Sequence, residues 1–304
     1  MFPPLSNIPI QPIQSEVLQK NNVSLFIQRD DLIHADVSGN KWRKLKNNIN
    51  YFFEKQFSEI VTFGGAYSNH IAATAAAGKL CGISTVGIIR GEPHSTANPT
   101  LAKAMDDGML LKYVSRSSYS DKLSSKEVAT ILQEFSNPYI IPEGGDNRLG
   151  LMGCSEIIDK EKHFDLYVTA CGTGSTLGGM VAGLEGRSWV LGFPVLKGMN
   201  RLAREIDDNL FKLGITNPSN WSLNHNYHFG GYAKADSSLI NFICDFWKNH
   251  NIKLDPIYTG KAMYGVFDLI QKGQIQNQRV LFVHTGGLQG IQGFEDRYQI
   301  KLFS

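Results

Sequence analysis

The chain has 304 residues, 42% hydrophobic and 19% charged, with 30 Lys and Arg against 28 Asp and Glu, a net charge of +2. That length supports two domains with cores of their own, and so even a charge argues against nucleic acid as the main partner. No apolar run reaches the length of a membrane span, and the opening MFPPLSNIPIQPIQ, broken by Pro3, Pro4, Pro9 and Pro12, does not read as a signal peptide. Cys81, Cys154, Cys171 and Cys244 form no Cys-x-x-Cys pair, which suits reduced, mostly buried thiols in a cytoplasmic protein.

In chain order, DVSGNKWRKLKNN (Asp36 to Asn48) sets Lys41 behind a Ser-Gly-Asn turn and ahead of Trp42, Arg43 and Lys44. Next come EIVTFGG, a strand ending in a glycine turn, and SNHIAATAAAGKLCG, a helix with Ser68 and Asn69 at its start and Gly82 at its end. ISTVGIIRG reads as a strand, NPTLAKAMDDG as a helix, MLLKYVS as a strand, KEVATILQEF as a helix and PYIIPEGG as a strand. The second half repeats the alternation. FDLYVTACGTGSTLGGMVAGL is strand, glycine loop and helix, SWVLGFPV a strand, MNRLAREIDDNLFKL and LINFICDFWKNH helices, and RVLFVHTGG a strand. This order predicts a doubly wound α/β architecture in two lobes, with parallel sheets covered by helices on both faces. Ligands in such folds bind beyond the carboxyl ends of the strands. The turns at Gly64-Gly65, Gly144-Gly145, Gly172 to Gly179 and Gly286-Gly287 fall at those ends.

ACGTGSTLGG joins a strand to a helix, so backbone N–H groups and the helix N-terminus would face an anion there. Thr173, Ser175 and Thr176 add hydroxyl donors. Leu177 occupies the place of the third glycine of a dinucleotide loop, the acidic residue expected downstream is missing, and no P-loop lysine is present. A smaller phosphate ester is the better fit. A reactive lysine together with a phosphate cradle suits pyridoxal 5′-phosphate (PLP), whose aldehyde needs an amine and whose ring nitrogen needs a partner. A free lysine holds its proton to a pH of ~10.4. Burial beside Trp42 and the cations Arg43 and Lys44 would favour the neutral amine at Lys41.

GNKWRKL, GGAYSNH, GTGSTLGG, DPIYTGKAMYG and HTGGLQG, in this order along nearly the whole chain, resemble segments of the D-cysteine desulfhydrase and 1-aminocyclopropane-1-carboxylate (ACC) deaminase family. The resemblance implies an α/β fold of type II PLP enzymes (tryptophan synthase β-like), two doubly wound parallel-sheet domains with the cofactor between them. It implies a large cofactor domain of residues 1–44 and 150–304, with a small domain of residues 45–149 inserted in it. By the same resemblance Lys41 forms the Schiff base with PLP and Lys44 reaches the phosphate, which sits on Gly172, Thr173, Gly174, Ser175 and Thr176. Asn69 would bond the 3′-oxygen of the cofactor, Ser68 would touch the substrate and help move protons, and Tyr232 and Tyr258 would complete the catalytic set. Ser68 and Asn69 also read as helix caps and the tyrosines as core residues, roles that can coexist with these.

Thr259 bears on the activity. The deaminases carry a glutamate directly after this tyrosine, facing the pyridine nitrogen, and a carboxylate there would strengthen the ring as an electron sink. Thr259, with Thr285 in HTGG, resembles the desulfhydrase branch, whose weaker sink suffices when a good leaving group departs from Cβ. The expectation is therefore a PLP-dependent lyase that eliminates and deaminates a small amino acid, D-cysteine first, giving pyruvate, ammonia and sulfide. ACC deamination to 2-oxobutyrate and ammonia is the alternative, and a weakly catalytic PLP-binding protein is the alternative of another class. A homodimer follows from the resemblance alone.

Against the family pattern, Tyr67 replaces a glutamine and Ile71-Ala72-Ala73 replace more polar residues, beside the expected site of the substrate carboxylate. His225 and His228 lack an evident third metal ligand, so no metal is expected. A Ser68–His70 hydrolase pair is disfavoured, because adjacent side chains rarely meet. Glu143 is expected to bond a glycine turn.

Overall fold

The computed structural model describes residues 2–5, 7–93, 98–216 and 218–304. The chain begins with β1 (Ile10–Ile13), α1 (Glu16–Lys20), β2 (Ser24–Gln28) and α2 (Asn40–Glu54). It continues through β3 (Glu59–Gly64), α3 (Asn69–Cys81), β4 (Ser84–Arg90), α4 (Pro99–Asp106), β5 (Leu110–Val114), α5 (Arg116–Asp121), α6 (Lys126–Leu132), β6 (Pro138–Ile141) and α7 (Arg148–Ser155). The remainder is β7 (Leu166–Cys171), α8 (Ser175–Leu184), β8 (Trp189–Pro194), α9 (Leu202–Lys212), β9 (Trp221–Leu223), α10 (Ser237–His250), α11 (Thr259–Gln271), β10 (Arg279–Val283) and α12 (Gly290–Tyr298).

Two sheets result. One has four strands in the order β5-β4-β3-β6, the other six in the order β1-β2-β10-β7-β8-β9. Every pairing is parallel except β1 with β2, where Ile10 lies opposite Gln28 in an antiparallel register. The sheets are thus mainly parallel, with one antiparallel pair at this edge. All six residues of β7 are buried, as a strand covered by helices on both faces requires.

Local chemistry sets the helices around the sheets. In α2 the buried residues Trp42, Leu45, Ile49 and Phe52 recur at three- and four-residue spacing, one apolar stripe of a helix. They pack with Ile60 of β3 and Ala73, Ala76 and Ala77 of α3. In α3 the Ser68 side chain accepts from the His70 and Ile71 N–H groups, and Gly82 ends the helix at φ +67°, an N-cap and a left-handed C-cap as the sequence predicts.

Beyond the carboxyl ends of the strands lies a cavity of about 1180 Å³. Gly65 after β3, Gly144 after β6, Gly172 after β7 and Gly286 after β10 all line it, so the four glycine turns do converge. Among the described residues no helix is long and apolar enough to cross a membrane.

Candidate active site

Gly39 turns the chain into α2 at φ +64°, and a Cβ there would stand 1.9 Å from the Thr285 carbonyl oxygen. Only glycine permits that approach. Asn40 ties the junction, its N–H donating to Thr285 O at 3.2 Å and its side chain to Thr176 Oγ1 at 2.9 Å. Lys41 is thereby fixed against both the end of β10 and the start of α8.

Lys41 is partly buried and lines the cavity. Its amine holds a proton far less tightly than the ordinary 10.5, first because of burial and then because of the Lys44 charge, with Cys154 and Asp146 opposing. Arg43 does not share in this repulsion. Its guanidinium is engaged by Asp30 at 2.5 and 2.9 Å in a buried pair, while Trp42 packs against Phe2 with ring centroids 4.2 Å apart.

Lys44, also buried and on the cavity wall, donates to Ser175 Oγ at 2.6 Å and to Gly144 O at 3.2 Å. An ammonium carries three donors, so one is left for a ligand. Gly172, Thr173, Gly174 and Thr176 line the cavity at the N-terminus of α8. Gly174 adopts φ +79°, and a Cβ there would meet Ile206 at 2.6 Å. Ser175 is buried away from the wall, with its hydroxyl between Lys44 and Thr173 at 2.6 and 2.9 Å. It orients those two neighbours.

Ser68 and Asn69 line the cavity at the N-terminus of α3. The Ser68 oxygen accepts two helix N–H groups at 3.2 and 3.3 Å, so the hydroxyl proton stays free to be donated. No hydrogen bond to the Asn69 side chain is formed among the described residues. Tyr258 and Tyr232 also reach the cavity. Burial, Tyr232, Asp255 and Glu143 push the Tyr258 hydroxyl well above its ordinary value. Burial and Asp255, against Arg90, push Tyr232 up to about 12. Both phenols are therefore proton donors at neutral pH.

Thr285 lines the cavity, but Thr259 does not. Thr259 is fully buried; its hydroxyl donates to Asp255 Oδ2 at 2.6 Å and accepts from the Asp255 N–H at 2.9 Å. The Asp255 carboxylate also accepts from the N–H groups of Ile257, Tyr258 and Thr259 at 2.9, 2.7 and 2.9 Å. It holds the start of α11, and the Thr259 hydroxyl is engaged with it.

Other expectations change too. Glu143 pairs with Lys122 at 2.5 Å and not with a glycine turn. Ile71 and Ala73 are buried in apolar clusters, so of the departures from the family pattern only Tyr67 stands on the cavity wall. The His228 ring accepts from the Gly230 N–H at 2.9 Å. Among the described residues no group of three or more His, Cys, Asp or Glu could hold a metal.

The sequence reading did not assign His70 or Arg90 a place on this wall. The Thr62 hydroxyl donates to Ile141 O at 2.8 Å, so the His70 Nε2, 2.9 Å away, donates to Thr62. This leaves Nδ1 as a buried acceptor without a partner among the described residues. Burial, Lys41 and Lys44 hold the imidazole neutral. The Arg90 guanidinium forms no ion pair or hydrogen bond among the described residues. Alternating hydrophobicity carries no signal for either feature.

The two mainly parallel α/β sheets, with a lysine and a glycine loop facing one cavity, define the class of type II PLP folds. Residues 3–286 match the model of the family described as pyridoxal-phosphate dependent enzymes, and the chain belongs to that family. A Pyrococcus horikoshii protein provisionally named a 1-aminocyclopropane-1-carboxylate deaminase is 32% identical over 97% of this chain and 95% of its own length. A bifunctional D-cysteine desulfhydrase/1-aminocyclopropane-1-carboxylate deaminase of Arabidopsis thaliana is 30% identical over 89% of this chain and 74% of its own. The crystal structure of an ACC deaminase homologue superposes with a TM-score of 0.83 at 30% identity, over 98% of this chain and 94% of that one. The chain is accordingly a PLP-dependent lyase of the ACC deaminase and D-cysteine desulfhydrase group.

The residues present suit that cofactor. An amine with weakened proton affinity, a helix N-terminus with glycines at close approach, a lysine with a donor unused among the described residues, and Thr285, whose hydroxyl forms no hydrogen bond among them, all face one cavity.

Proposed function

We propose that this lyase acts on D-cysteine or a close analogue with a good leaving group at Cβ, releasing pyruvate, ammonia and sulfide. When bound, PLP supplies a conjugated ring that accepts negative charge developing at the substrate Cα. In this reading Lys41 would hold the cofactor until the substrate amine takes its place, and its released amine, whose proton affinity burial and the Lys44 charge lower, would take the proton from Cα as general base. The loop at Gly172, Thr173, Gly174 and Thr176, with Lys44, holds the phosphate. Asn69 bonds the 3′-oxygen. Ser68 and Tyr258 hold donatable protons toward the substrate and its leaving group, and Tyr232 closes the wall beside them.

The observation that carries the choice of substrate is at Thr285. Of the two threonines expected near the ring nitrogen, this one stands on the cavity wall, its hydroxyl without a hydrogen bond among the described residues. The nearby Asp255 carboxylate is engaged by three N–H groups and the Thr259 hydroxyl. A neutral partner leaves the weaker electron sink, which suits elimination. The names of the Pyrococcus horikoshii relative and of the superposed structure favour the second reading, ACC deamination.

The same proposal assigns residues 1–44 and 150–304 to the cofactor lobe and 45–149 to the smaller one, with α2 running across their junction. It includes a homodimer, on the family resemblance, and a cytoplasmic site of action, on four cysteines that form no Cys-x-x-Cys pair. The test is a side-by-side assay of the PLP-loaded protein with D-cysteine and with ACC, identifying the keto acid. Pyruvate with sulfide from D-cysteine alone supports the elimination reading; 2-oxobutyrate from ACC overturns it.

A further inference from the structure

Among the described residues Lys261 is the most completely buried lysine or arginine, and it has no carboxylate in direct contact. Its side chain has no solvent exposure, and its ammonium meets three backbone carbonyls, those of Gly231 at 2.7 Å, His228 at 2.9 Å and Val195 at 3.5 Å. Val195 follows β8, and Lys261 stands in the first turn of α11, three residues beyond Tyr258. One side chain thus joins α11, the end of a central strand and the loop that precedes Tyr232.

That loop is unfavourable on its own account. Phe229, Gly230, Gly231 and Ala233 all have positive φ, of 50°, 88°, 114° and 51°, and two of these residues are not glycine. L-residues enter that region at a cost and stay there only where the surroundings compel them. The internal ties are short-range, His228 O accepting from Gly231 N–H at 2.9 Å and Gly231 O from Lys234 N–H at 3.2 Å. Converging carbonyl oxygens repel one another, and burying them without donors is costly. The ammonium answers both problems. Burial pushes its proton affinity down to about 8 against the opposing Asp255 charge, so the cation still predominates at neutral pH.

What the loop carries is Tyr232, which lines the cavity and whose hydroxyl donates across the cleft to Tyr67 O at 3.3 Å. We infer that Lys261 is a positioning residue, an internal ammonium that holds the strained 228–233 loop in place and so fixes Tyr232 at the substrate side of the cavity. The inference rests on the proposed role of Tyr232 and adds to it a residue that touches neither cofactor nor substrate.

The experiment compares PLP-loaded wild type with Lys261→Met, Lys261→Gln and Tyr232→Ala, and with the double variant Lys261→Met/Tyr232→Ala. Hydrogen exchange at residues 229–234 and turnover are measured together. Lys261→Met is expected to lose exchange protection in that segment and to lower kcat/KM about 10- to 100-fold, while the bound cofactor keeps its absorbance. Lys261→Gln, which restores amide donors, is expected to fall between the two. In the Tyr232→Ala background the Lys261→Met change is expected to cost no more than about threefold, because the two act through one contact.

Full multiplication of the two effects would overturn the inference, as would unchanged protection in Lys261→Met. If Lys261→Met does not fold, the same readings on Lys261→Gln decide. If no variant and no wild type acts on either amino acid, the functional reading fails, while the exchange data still decide the anchor.

Discussion

At the Lys41 end of α2, on the cavity wall, the polar groups are left with capacity for a ligand; at the Asp255 end of α11, off that wall, they are bound to one another. Among the described residues Lys44 keeps a third donor and Asn69 an uncommitted amide, and Lys41 has an amine of weakened proton affinity. Asp255 and Thr259 exchange hydrogen bonds at 2.6 to 2.9 Å and cap α11. Both ends are built from short motifs of the same family resemblance. A motif names the residues in each case, but only the hydrogen-bond accounting separates groups that can bind from groups already engaged.

The largest expected effect breaks the first end. Lys41→Ala should lower turnover at least ~10³-fold, since it removes the proposed base, and keto-acid release measures it. Asp255→Ala breaks the second end instead. It leaves the N–H groups of Ile257, Tyr258 and Thr259 without their acceptor and should cost about 3 kcal/mol in urea unfolding, with activity falling as Tyr258 loses its place.

The threonine pair sharpens the contrast. Thr285→Val should lower turnover about 3- to 10-fold with little change in stability. Thr259→Val should do the reverse, costing about 1–2 kcal/mol of unfolding free energy and leaving turnover within about threefold. Steady-state kinetics and urea midpoints on the two variants check both halves.

The smallest effect is one of pH on the apoprotein. The folded Lys41 binds its proton less tightly than the ordinary 10.5. Between its folded value and 10.5 the unfolded chain therefore carries more proton, and stability rises with pH across that window. Lys41→Met should raise the melting temperature of the apoprotein most at and below the folded value. The gain should vanish as pH approaches 10.5, and thermal melts at several pH values measure this.

Much of this was legible in the sequence, for reasons that differ along the chain. α3 could be read from Ser68 to Gly82 because capping chemistry is local. The glycine turns could be placed because they follow apolar strands, and their convergence follows from parallel winding. The antiparallel β1 could not, since its four residues include Pro12 and show little alternation. The state of Thr259 depends on Asp255 four residues earlier, a cap whose geometry is set only when α11 packs. Lys261 was hidden because its partners, Val195, His228 and Gly231, come from distant segments.

Lys41 as the residue that holds PLP is the claim most directly open to measurement. The protein loaded with PLP, reduced with borohydride and digested, would yield one modified peptide. The account predicts the cofactor on Lys41 within GNKWRKL. Modification at Lys44 or Lys261 with Lys41 unmodified would contradict it.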